Sequence, residues 1–70
     1  MQLYWEDVEA IAEQLFEFHP NVDPLSVRFT DLHRWITELA DFVDDAKASS
    51  EGKLEAVQMA WLGLYQEQSE

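Results

Sequence analysis

The 70-residue chain has no cysteine, so neither a disulfide nor a thiolate metal site can brace it. It has only four Lys and Arg against fifteen Asp and Glu, a formal net charge of −11. Binding to a phosphate backbone needs clustered basic side chains, and an anionic membrane surface asks for the same. Neither nucleic acid nor a membrane is therefore an expected partner. No apolar run approaches the roughly 20 residues that span a bilayer. The first residues, MQLYWEDVEA, have neither the basic region nor the apolar stretch of a signal peptide, so a cytoplasmic location is expected. Only two glycines are present, and no phosphate-cradling loop, GxSxG elbow, HExxH pair or EF-hand loop can be found. Paired carboxylates are plentiful, but a chain this short has little room for a cleft that would shift their pKa values. No enzymatic activity is expected.

What the chain does have is bulk. Three Trp, four Phe and two Tyr sit in a sequence that is 47% apolar, which places it in the globular class despite its charge. A domain of this size buries only about 60% of the surface exposed when unfolded, so large aromatics must supply much of the buried area. One domain over residues 1–65 is expected, monomeric, with residues 66–70 as a frayed polar tail.

Apolar spacing predicts three helices. Val8, Ile11, Ala12, Leu15 and Phe16 recur at intervals of three and four, predicting a helix from Glu6 to Phe18 that His19-Pro20 ends. Residues 21–29 read as a loop, with a turn at Asp23-Pro24 and Val27-Arg28-Phe29 alternating like one half-buried strand. Thr30 is a suitable N-cap for a second helix, whose apolar face holds Leu32, Trp35, Ile36 and Leu39 and extends toward Phe42. A polar segment, DDAKASSEG, precedes a third helix in which Leu54, Val57, Trp61 and Leu64 repeat and Ser49 or Ser50 serves as cap. The expected fold is mainly α, a small three-helix domain with at most one or two very short extended segments. Trp5, Trp35 and Trp61 are its expected core anchors.

One face carries charge without compensation. Residues 1–27 contain Glu6, Asp7, Glu9, Glu13, Glu17 and Asp23 but no Lys or Arg. Glu6, Glu9, Glu13 and Glu17 are spaced so that a helix stacks them opposite its apolar stripe. Like charges at that spacing repel by a few tenths of a kcal/mol per pair. The plain reading is a solvated polar face. The sharper reading is a surface that waits for a basic partner or a metal cation. Carboxylates four residues apart can share a hard cation, but a tight site needs several convergent ligands. His19 and His33 stand alone, and His33 reads as a packing or capping residue.

The segment DPLSVRFTDLHRWI, Asp23 to Ile36, carries a resemblance. It is similar to the signature of the IscX family, accessory proteins of bacterial iron-sulphur cluster assembly. Upstream, Trp5 and Asp7 match the family's W-x-D start, followed by Ile11, Leu15 and Pro20; downstream, Leu39, Asp41-Phe42 and Asp44-Asp45 match L-x-DF-x-DD. The closing stretch SSEGKLEAVQMAWL is similar to the family's last helix, so residues 3–62 are covered without a gap. The resemblance implies a domain related to the winged helix. It also implies a partner, the pyridoxal-phosphate cysteine desulfurase that supplies sulfur, and weak binding of Fe2+ by acidic surface with no tightly bound cofactor.

Carried over, Asp7, Glu13 and Glu17 match acids of the family's first helix, and Asp31, Asp41, Asp44 and Asp45 match its other recurring acids. Glu6 and Glu9 extend the stripe. These nine are the expected partner-binding residues, and Asp7, Glu9, Glu13 and Glu17 are the expected weak, exposed metal ligands. Three departures stand out: Ala46 where the family usually has proline, Ser50 for asparagine, and a longer tail from Gly63. The alternatives are an iron carrier serving the cluster scaffold protein, or an acidic module for an unrelated partner such as a DNA-binding protein.

Overall fold

The first helical bond is donated by Ile11 N–H to the Asp7 carbonyl at 2.9 Å, so α1 runs Val8–Phe18 rather than starting at Glu6. Ahead of it, Asp7 N–H donates to Tyr4 O, and Tyr4 N–H donates to Asp7 Oδ2, each at 2.9 Å. Asp7 therefore closes a turn behind the helix, and its carboxylate does not cap the helix ahead. The helix stops where the sequence places its stop. His19 N–H makes the last bond, to Leu15 O, and Pro20 has no N–H with which to continue. This computed structural model describes residues 1–68.

Asp23-Pro24 does form a turn, a 3-10 turn over Pro24–Ser26 in which Asp23 Oδ1 accepts from Leu25 N–H at 3.0 Å. Val27 and Arg28 are extended, but they pair with no strand, and Phe29 already begins α2 (Phe29–Thr37). The cap position falls on Arg28 and not on Thr30. Phe29 packs against the core, and that packing outweighs the better capping chemistry of Thr30. The helix ends before Leu39 and Phe42, which two successive turns, Leu39 N–H to Ile36 O and Phe42 N–H to Leu39 O, fold inward.

That fold-back creates the extended element found among the described residues. Leu3 and Phe42 form an isolated parallel bridge, with Leu3 N–H to Asp41 O at 2.8 Å and Val43 N–H to Leu3 O at 3.0 Å. The extended content is a single bridge rather than a hairpin, so the domain is mainly α, as the sequence predicts.

The segment before α3 (Glu51–Gln68) is ordered by its own polar side chains. Asp45 Oδ1 accepts from Lys47 N–H in a second 3-10 turn, Ala46–Ala48. Of the two candidate caps it is Ser50 that acts, its Oγ accepting from Lys53 N–H at 3.2 Å. Residues 66–68, read from the sequence as part of a frayed tail, are helical. Gln68 Nε2 donates to Pro20 O at 2.8 Å and pins the end of α3 to the end of α1, while residues 69–70 lie outside the described region.

One apolar cluster joins the stripes of all three helices to Leu3, Trp5 and Val27. Trp5 and Trp61 are fully buried, whereas Trp35 sits half-exposed at the edge, its ring stacked on His19 at 4.1 Å. No helix among the described residues is long and apolar enough to cross a membrane.

Candidate functional site

Because α1 packs chiefly on α3, its acidic stripe faces outward along that seam. Glu9, Glu13 and Glu17 are exposed on α1, and Glu6 is exposed just ahead of it. None of the four takes part in an ion pair among the described residues, where Arg34 pairs instead with Asp31 at 3.6 Å on α2.

The stripe is one lip of a groove. A shallow depression of about 240 Å³ runs between α1 and α3, with Glu9 and Glu13 on one side and Glu67 on the other. Its floor is Ala12, Ala60, Gly63 and Leu64. A neighbouring depression continues past Glu6, Asp7 and Val8 at the start of α1. Sequence reading places Glu67 in the frayed tail and leaves the role of Gly63 open. Their signal was present, since 60, 63, 64 and 67 share one helical face, but which helix that face meets is a tertiary fact.

The other expected partner-binding acids have work inside the fold. Asp41 Oδ2 accepts from Gln14 Nε2 at 2.9 Å, tying the loop after α2 to α1. Asp44 Oδ2 accepts from Trp5 N–H at 3.0 Å, and its Oδ1 from Asp45 N–H at 2.7 Å. The Asp45 carbonyl takes the Trp5 indole N–H at 2.7 Å. His33 closes the same knot. Its Nε2 donates to Ala46 O at 2.7 Å, and its ring stacks on Trp5. His33 is thus a packing residue, as its position in the sequence suggests.

The Trp5 and Asp45 N–H groups favour the ionised form of Asp44 and hold its carboxyl below its ordinary 3.8. A depressed folded-state pKa stabilises the protein in full above the unfolded value and loses that contribution as pH falls through the folded one. Thermal melts of the native chain should therefore drop as pH falls below about 3.8, and Asp44→Asn should drop less steeply across that window. Parallel acid limbs in the two proteins would remove Asp44 from the account.

Could the stripe hold a metal? Among the described residues no three His, Cys, Asp or Glu side chains gather around a common point. Asp7 is engaged by Tyr4 N–H, and Glu9, Glu13 and Glu17 are strung along successive turns. What remains is carboxylate pairs one turn apart, hard oxygen donors that suit a weakly held, hydrated divalent cation.

Two comparisons relate the chain to known proteins. The model of a family described as iron-sulphur cluster assembly matches residues 3–66. An uncharacterized protein of Pseudomonas aeruginosa is 53% identical over 62 residues, a span covering 89% of this chain and 94% of that protein.

Proposed function

The chain belongs to the iron-sulphur cluster assembly family, and from that membership we propose that it is a non-catalytic adaptor which docks on a cysteine desulfurase through the acidic lip of α1. The observation that carries the reading is the exposure of Glu9 and Glu13 beside an open groove, with no ion pair on either. A helix face meant only to stay in water would gain from interspersed lysines, and α1 has none. Its carboxylates steer a basic surface toward the groove and lose their mutual repulsion on contact, which makes association fast and salt-sensitive. A second copy of this chain, itself at −11, is repelled by the same field.

Ferrous iron enters this reading as a tuning ligand. Carboxylate pairs on α1 hold it loosely at the surface, where it competes with or bridges to the docking partner. A dedicated carrier would need a gathered ligand set, and the acids on α1 are spread along the helix instead.

The test is calorimetric titration of the desulfurase with the native chain and with Glu9→Lys/Glu13→Lys, at two salt concentrations and with and without ferrous iron. Replacing two attractions with two repulsions should weaken binding about 100-fold or more. Circular dichroism should show the fold retained, since both side chains are exposed. Equal affinity of native chain and double variant would end the proposal.

A further inference from the structure

Gly63 lies inside α3, where glycine weakens a helix relative to alanine. Two ordinary reasons for a helical glycine do not apply. Its backbone is not in the left-handed region, and a Cβ built on it would meet nothing within 4 Å. Neither backbone geometry nor close helix packing requires it. What glycine does leave is open space on the floor of the groove between α1 and α3, between the acidic lips formed by Glu9 and Glu13 and by Glu67.

We infer that Gly63 is the seat for an apolar side chain of the docking partner, carried on a segment that flanks it with Lys or Arg. The charge of the lips names the flanking residues, and the Ala12, Ala60 and Leu64 floor names the inserted one. A free metabolite fits poorly, because sites for such ligands usually enclose roughly 300–1,000 Å³ and this groove is smaller, shallow and open. This inference rests on the docking proposed above and adds to it. Charge brings the partner in, and the space at Gly63 decides how closely it can settle.

The experiment compares Gly63→Ala, Gly63→Leu and Glu9→Lys/Glu13→Lys as ligands for the cysteine desulfurase in calorimetry at low and high salt, with thermal melts of each. Both Gly63 variants should melt at or above the native temperature, because a Cβ at this position enters open space and both residues form helix better than glycine. Gly63→Leu should bind at least tenfold more weakly at both salt concentrations, with Gly63→Ala between it and the native chain. Native affinity in Gly63→Leu, alongside lost affinity in the double reversal, would overturn the seat and leave the acidic lip standing. Native affinity in all three variants would remove both, as would a native chain that does not bind the desulfurase.

Discussion

Trp5→Ala is expected to remove a large share of the stability of the domain. Trp5 is fully buried, and truncating a buried Trp costs about 3–5 kcal/mol. At roughly 0.05–0.15 kcal/mol per residue, a domain of this length has only about 3.5–10 kcal/mol in all. The ring also does more than fill space. It packs edge-on against Phe42 at 4.9 Å and stacks with His33, while its indole N–H donates to the Asp45 carbonyl. Losing it releases the N-terminal segment, the loop after α2 and the segment leading to α3 together.

A pair of milder substitutions separates the polar part from the packing. Trp5→Phe removes the indole donor and leaves the Asp45 carbonyl without it, at about 1–3 kcal/mol beyond the lost volume. Trp61 is equally buried, yet its Nε1 meets no acceptor among the described residues. Trp61→Phe removes an unsatisfied donor and should therefore cost less than Trp5→Phe. Chemical denaturation of both variants checks the order. Equal losses, or a Trp5→Ala that melts like the native protein, would mean that the knot around Trp5 contributes little.

Much of this fold can be read from periodicity, because an apolar stripe at spacings of three and four has one economical solution. The stripe of α1, its stop at Pro20, the turn at Asp23-Pro24 and the burial of Trp5 and Trp61 all follow from local pattern. What local pattern could not carry was pairing across the chain. Thr30 is the better cap by chemistry, but Phe29 has a place in the core and draws the helix start two residues earlier. Leu39 and Phe42 read as helix because they are apolar at the right spacing; turns bury Leu39 and bring the half-buried Phe42 beside Leu3.

The same limit shaped the site. Asp44 resembles Glu9 and Glu13 in type and charge, and nothing within a few residues tells it apart. Its difference is the backbone N–H of a tryptophan 39 positions earlier in the chain. Conversely, Glu67 reads as part of a polar end, whereas Gln68 fastens α3 to Pro20, which keeps that last turn against α1 and makes it the far lip of the groove. The acidic face was legible as a stripe on one helix, and its shape as a groove between two was not.

Glu13→Gln is expected to raise stability and lower affinity at once. On α1, Glu13 stands one turn from both Glu9 and Glu17, so neutralising it removes two repulsive pairs together. Glu6 lies before the helix and adds no third pair of that geometry. Two pairs at about 0.2–0.5 kcal/mol each amount to a rise of roughly 2–8 °C in the midpoint of a domain this small. Added salt should raise the native midpoint more than that of the variant, since screening does for the native chain what the substitution has already done. In the docking titration the same variant should bind more weakly, because the charge that destabilises the free helix is the charge that draws the partner in. A solvated face with no partner would show the first effect without the second. Stability gained with no affinity lost would therefore count against docking through α1, and a variant that melts no higher than the native chain would mean that the stripe was never under strain.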